Sequence, residues 1–296
     1  MGSDLFLPLK SIIATAQAKR LCIPAFDVGG GRLEFIQAVL QVARVEEAPA
    51  LFICYVGSAK QTGFRPLVGF VRALAEEAGV PAALQLDHAA KEEDVRGAIA
   101  GGFLDVMFDA SRSNFEENVQ RTREVVAYAH AHGVSVEAAF GAIGREGGGS
   151  GAEELTDPAL AARFVEETGV DFLTPAVGNR HGCRGFTVPL DWELMEQLRQ
   201  RVAVPMALHG GSGIAVEDMA RAGSVGFHKV NVATVLHGTY NEAVRGYIQA
   251  GAREAGAEHG WFRWAQAGRE ALRTVVERYV TGLGLKGTAQ DVVKDR

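Results

Sequence analysis

The sequence is as informative for what it lacks as for what it holds. Its 296 residues contain no apolar run approaching the roughly 18–20 needed to span a bilayer, and no signal-peptide-like apolar core. No basic tract exceeds two residues, and the net charge is −6, so a nucleic-acid groove is not expected. An anionic ligand must therefore find local donors. Cysteine is scarce: Cys22, Cys54 and Cys183 are far apart and odd in number. That spacing excludes a disulfide framework and points to a reducing compartment, the cytoplasm. Gly2 is followed by Phe6 where a myristoylation signal needs Ser or Thr. No linker or low-complexity stretch divides the chain, so one domain over 1–296 is expected. The long flexible loop is 144–153, GREGGGSGAE.

What is abundant is apolar residues, at 47%, and glycine, at 36 residues. That is the composition of a globular chain with a large core and many tight turns. Short β-branched or apolar runs alternate with longer amphipathic segments. Strands are expected at 23–28, 50–56, 82–88, 105–111, 134–141, 171–178, 204–212 and 226–234. Helices are expected at 33–47, 66–78, 91–100, 115–131, 158–167, 191–201, 215–222 and 235–249. Gly79, Gly133 and Gly169 each precede a valine where a helix should give way to a strand. This rhythm of strand and helix predicts a (β/α)8 TIM barrel, with an extra N-terminal helix at 8–20 and an extra C-terminal helix at 267–283. An open doubly wound sheet is the rival. Gly29-Gly30-Gly31 lacks the G-x-G-x-x-G spacing that would favour it.

A barrel of this kind builds its site at the C-terminal ends of its strands. The sequence puts Asp87 and His88 there, then Asp109 and Ser111, Glu137, His181, His209, and Asn231 with Thr234. Adjacent strand residues point to opposite faces. Asp87 and His88 could thus share a site only where the strand ends and the chain turns. His88, His181 and His209 come from three strand ends, and three imidazoles with open positions are the ligand set of a catalytic zinc site. His130, His132, His228, His237 and His259 read as structural or surface residues. Gly210 and Gly211, with Ser212, Asn231 and Thr234 as further donors, suit an anion such as phosphate.

The ordered segments LDH (86–88), VMFDAS (106–111), HGVSVEA (132–138), HG (181–182), LHGGSG (208–213) and KVNVAT (229–234) carry a resemblance. PAF (24–26) and GREAL (268–272) extend it to both ends. The chain resembles the class II, zinc-dependent ketose-bisphosphate aldolases that act on fructose or tagatose bisphosphate. The resemblance implies a lyase that makes or cleaves a C–C bond between dihydroxyacetone phosphate and an aldehyde. It implies Zn2+ on His88, His181 and His209, with Asp87 as the acid/base. It places dihydroxyacetone phosphate on Gly182, Gly210, Gly211, Ser212, Asn231, Ala233 and Thr234, with a monovalent cation (Na+ or K+) near the phosphate. Arg269 would meet a second phosphate. A homodimer or homotetramer is also implied. Lys229, on the last strand, raises a lysine Schiff-base alternative, but one lysine does not explain the three histidines.

Departures from the family cluster in the site. Its second strand-5 glutamate is Ala139, and its loop carboxylates are represented by Glu146, one position out of register. A usual asparagine is Asp27, a usual serine is Tyr55, and Arg145, Arg180 and Arg184 are added. These changes predict non-standard acceptor specificity. The alternatives are ordinary bisphosphate cleavage, or a weakly catalytic protein that binds metal and sugar phosphate.

Overall fold

The computed structural model describes residues 5–141, 143–145, 155–185, 188–250 and 260–294. In chain order the strands are β1 (Ile23–Asp27), β2 (Ala50–Tyr55), β3 (Ala82–Ala89), β4 (Asp105–Phe108) and β5 (Ser135–Phe140). Then come β6 (Gly144–Arg145), β7 (Phe172–Pro175), β8 (Arg180–His181), β9 (Met206–Leu208) and β10 (Phe227–Val232). All but the two shortest, β6 and β8, form one closed barrel in the order β1-β10-β9-β7-β5-β4-β3-β2. The pairing is parallel throughout. The expected TIM barrel is therefore the fold.

The helices are α1 (Leu9–Lys19), α2 (Leu33–Val45), α3 (Val56–Thr62), α4 (Phe64–Ala78), α5 (Glu92–Ala100) and α6 (Phe115–Ala131). They continue with α7 (Pro158–Thr168), α8 (Trp192–Arg201), α9 (Val216–Gly223), α10 (Thr234–Gln249), α11 (Gly260–Gly282) and α12 (Ala289–Lys294). Local chemistry sets several of their ends. Asn114, Asp157 and Asp191 accept hydrogen bonds from the first-turn N–H groups of α6, α7 and α8. The helix expected at 66–78 is α4, which starts two residues earlier at Phe64; the short α3 before it was not expected, and Gly63, with φ +91°, separates the two. The C-terminal helix starts earlier than 267, at Gly260, and α12 follows it. No helix among the described residues is long and apolar enough to cross a membrane.

Strand residues facing the helices, such as Leu84, Leu86, Val106, Phe108, Val136, Leu173 and Val230, are fully buried. The interior is different. Register aligns Ile53 with Gln85, Asp105 with Ser135, and Met107 with Glu137. The inward set thus carries polar groups in its middle and at its floor. The floor is closed by α1, whose Leu9 N–H donates to Asp105 Oδ2 at 2.8 Å, while Ser135 hydrogen-bonds the other oxygen.

Asp105 makes a pH prediction. Burial pushes its carboxyl up to about 7 from the ordinary 3.8, and the Ser135 and Leu9 hydrogen bonds oppose that only in part. The folded chain then holds a proton that the unfolded chain has released. Stability should fall as pH rises from about 4 to about 7, by at most about 4 kcal/mol, and level off above. D105N should lack that decline. Urea denaturation of both proteins across this range would show it, and parallel curves would refute it.

Candidate functional site

The site is assembled at the mouth of the barrel, starting from an irregularity in β3. The strand does not end at His88, as the sequence suggested. It continues to Ala89, and its register with β4 slips between Leu86 and Ala89. His88 takes a left-handed backbone, φ +53°, unusual for a residue with a Cβ. Such a conformation costs on the order of 1–3 kcal/mol and persists where the surroundings impose it. Its effect is to bring neighbours onto one site. Asp87 Oδ1 accepts from Asn231 Nδ2 at 3.0 Å, while His88 Nε2 lies 3.0 Å from His209 Nδ1.

His181 completes the set. It lies on β8, paired in register with Arg145 of β6, in the segment that follows β7. Ligand atoms of His88, His181 and His209 all lie within 4.8 Å of one another. The ring centroids are 4.8 to 5.6 Å apart, with the rings edge to face.

The donor set fits a divalent metal because the far nitrogens of two ligands are already held. Asp109 Oδ2 is 2.8 Å from His88 Nδ1, and Glu137 Oε1 is 3.1 Å from His209 Nε2. A carboxylate on one ring nitrogen keeps the proton there and leaves the other nitrogen's lone pair for a metal. The two free lone pairs then face each other and need a shared proton or a cation between them. Burial disfavours charge on His88, but the Asp87 charge, the Asp109 hydrogen bond and charge, and the Glu137 charge outweigh it and raise its pKa to about 9. A cation bound between the two nitrogens would take the place of such a proton. Burial lowers the pKa of His209, partly offset by Glu137.

Glu137 is fully buried beneath the histidines. Its Oε2 accepts from Lys229 Nζ at 2.8 Å and Gln85 Nε2 at 3.0 Å; its Oε1 also accepts from Thr174 Oγ1 at 2.7 Å. Burial works against its charge, yet Lys229 and His209 hold it well below the usual carboxylate range. Lys229 is thus an ion-pair partner inside the barrel, 1% exposed, with no free amine at the mouth for a Schiff base.

Asn231 is 6% exposed, and one contact of its amide resolves its orientation. Nδ2 lies near both Asp87 Oδ1 and His209 Nε2, at 3.0 and 3.1 Å. His209 Nε2–H already points at Glu137, so Nδ2 donates to Asp87. Asn231 Oδ1 is left buried without a protein partner among the described residues.

On the opposite rim, β9 leads into Gly210, Gly211 and Ser212. Gly210 has φ +72°, and a Cβ there would lie 2.1 Å from the Arg180 carbonyl oxygen. The turn after His209 thus packs directly against the backbone that carries His181. Asn179 reinforces this, accepting from Val177 N and donating to the His209 carbonyl. G210A should lower stability by about 1–3 kcal/mol or more through strain and clash. It should also weaken metal binding, since His181 and His209 shift together; unchanged values in denaturation and metal titration would count against this.

The other expected site residues divide. Ser212 Oγ accepts from Val235 N at 3.0 Å, tying Gly210–Ser212 to the first turn of α10, which Ala233 and Thr234 open. Gly182, with φ +83°, follows His181. Arg269, on α11, donates to Gln37 of α2 at 2.9 Å and approaches Glu270 at 4.0 Å. Glu146 lies outside the described residues.

The family model for class II fructose-bisphosphate aldolases matches residues 7–288. The chain belongs to this family. Its fold is close to the YdjI aldolase from Escherichia coli K12, at 28% identity and TM-score 0.81, covering 96% of this chain and 99% of that one. It is also close to a candidate fructose-1,6-bisphosphate aldolase from Coccidioides immitis, at 29% identity and TM-score 0.82, covering 96% and 98%. Fructose-bisphosphate aldolase from Campylobacter jejuni, at 24% identity, shares the fold with TM-score 0.79 over 94% of each chain. This class II aldolase is a lyase by membership, of a family that acts on sugar phosphates and generally depends on metal.

Sequence reading gave Asp109, Glu137 and Lys229 no holding role. The signal was there: polar residues at inward-facing positions of consecutive strands have no reason to be buried unless they meet one another. His237, read as structural, lies at the mouth with Nε2 2.9 Å from Asp27 Oδ2.

Proposed function

We propose that this aldolase is metal-dependent and makes or cleaves the bond between dihydroxyacetone phosphate and an aldehyde of non-standard structure, in one domain spanning 1–296. The observation that carries this reading is the convergence of His88, His181 and His209 beside an Asp87 already held by Asn231. His88, His181 and His209 would hold Zn2+, which supplies Lewis-acid stabilisation of negative charge on the substrate oxygens. Gly182, Gly210, Gly211, Ser212, Ala233 and Thr234 would bind the phosphate half, aided by the N-terminus of α10 and by a monovalent cation.

In cleavage, Asp87 takes the proton from the hydroxyl on the carbon that becomes the aldehyde. The C–C bond breaks, and its electron pair passes to the dihydroxyacetone phosphate half. A proton delivered to that half, assigned to Glu146, completes the product. Asn231 keeps Asp87 aimed, and its own unpartnered Oδ1 is placed to accept from a substrate hydroxyl.

The three cysteines, none in a disulfide, support a cytoplasmic site of action. A homodimer or homotetramer is the expected assembly.

Metal analysis combined with an assay of dihydroxyacetone phosphate proton exchange tests this function. About one zinc per chain and exchange without efficient cleavage of fructose or tagatose bisphosphate would support it. Efficient cleavage of either bisphosphate would restore the ordinary activity. Metal binding without exchange would leave a sugar-phosphate binder.

A further inference from the structure

The chemistry above leaves two side chains at the barrel mouth without a task, on β1 and β2. Asp27 ends β1 in register with Ile53, and Ile53 is in register with Gln85 of β3. Tyr55 ends β2 in register with Asp87. Register partners in a parallel sheet point to the same face. Gln85 reaches Glu137 in the interior, so Asp27 and Tyr55 share the inner face with Asp87.

Their environments differ from an anion site. Asp27 is 9% exposed; its Oδ1 accepts from Gly29 N at 3.0 Å and its Oδ2 from His237 Nε2 at 2.9 Å. A carboxylate offers about four lone-pair sites, so about two remain for a ligand. His237, on the first turn of α10, positions it. Tyr55 is 52% exposed, with its ring across Gly57, where a Cβ would lie 2.7 Å from Tyr55 Cε1. The ring is thus an open apolar platform resting on bare backbone. Among the described residues, three arginines of this region, Arg32, Arg184 and Arg269, are engaged elsewhere. The Arg184 guanidinium lies against Gly238 beside His237 and pairs with Glu242 at 3.3 Å. The Arg32 guanidinium lies 5.9 Å over each of the Phe35 and Tyr240 rings, and Arg269 donates to Gln37. Burial, with added repulsion from Asp27 and Asp87, raises the Cys54 thiol to about 12, so both carboxylate charges are felt under this side of the mouth.

We propose that Asp27, held by His237, and Tyr55 form the acceptor subsite, and that it takes an uncharged hydroxyaldehyde in preference to a phosphorylated one. Asp27 accepts hydrogen bonds from acceptor hydroxyls and repels a phosphate dianion. Tyr55 covers the C–H face of the acceptor chain. This rests on the aldolase reading above and assigns the acceptor class to the same site.

The test compares kcat/KM for condensation of dihydroxyacetone phosphate with D-glyceraldehyde and with D-glyceraldehyde 3-phosphate, using zinc-loaded protein. Wild type should favour D-glyceraldehyde by about tenfold or more. D27N should lower the D-glyceraldehyde value by about 10- to 100-fold, the loss of hydrogen bonds to a charged group, and the phosphorylated acceptor's value by much less. Y55S, at an exposed position that leaves the core intact, should lower the same ratio mainly through KM. H237Q, which keeps a donor for Asp27, should retain more of the preference than H237A. A wild-type preference for the phosphorylated acceptor, or equal losses for both acceptors in D27N and Y55S, overturns the assignment. Proton exchange from dihydroxyacetone phosphate separates the two levels. Exchange with the wrong acceptor preference refutes this subsite alone, and no exchange refutes the aldolase reading with it.

Discussion

Replacing Asp87 by Asn should lower kcat for cleavage by about 10²- to 10⁴-fold, the usual contribution of a positioned general acid/base. The substitution keeps the shape and the acceptor oxygen that Asn231 Nδ2 meets at 3.0 Å, so bound metal should remain stoichiometric. Proton exchange from dihydroxyacetone phosphate should fall much less than cleavage, because exchange needs no proton from the cleavage hydroxyl. Steady-state kinetics with metal analysis on one preparation measures all three. A loss under tenfold, or loss of metal in step with activity, would remove Asp87 from the proposed role.

E137A should have the largest effect on stability. It strands Lys229 Nζ, now 2.8 Å from Glu137, at a site 1% exposed, and it frees the proton-holding nitrogen of His209. Breaking one half of a buried ion pair costs about 3–5 kcal/mol, because the remaining charge keeps its desolvation penalty. Replacing both partners, as in E137L/K229M, should recover much of that loss, since two apolar side chains carry no such penalty. Metal affinity should not recover in the double variant. His209 would still lack its carboxylate, and losing such a holder weakens metal binding by about 10–100-fold. Urea denaturation and competitive metal titration separate the two effects. Full recovery of metal affinity in E137L/K229M would show that Glu137 serves the ion pair alone.

Asp105 and Glu137 show opposite outcomes of burial. Both face the barrel interior. Glu137 has a cation and a histidine against it and stays ionised, whereas Asp105 accepts hydrogen bonds from neutral donors only, feels Asp171 as well as Lys10, and is pushed by burial up to about 7. The polarity of neighbours, not depth, decides the sign.

Much of this was legible in the sequence. The alternation of strand and helix is a local property, written in periodicity and in glycines such as Gly79 and Gly169 that end helices in the left-handed conformation. Three histidines at strand ends could be read because a barrel gathers all strand ends on one face. What could not be read were pairings that exist only once the barrel closes. His88 meets His209 across 121 positions, Lys229 meets Glu137 across 92, and Asp27 meets His237 across 210.

Asp87 and His88 draw the line between the two. Their side-by-side placement is plain in the chain, and so is the rule that alternate strand residues diverge. The bulge and the left-handed backbone of His88, which let both reach the site, come from neither residue's propensity. The sequence by itself determined the barrel and the inventory of its mouth. Tertiary structure decided which nitrogen of each histidine is free, which carboxylate is charged and which faces the acceptor, because those depend on partners that only closure brings within hydrogen-bond distance.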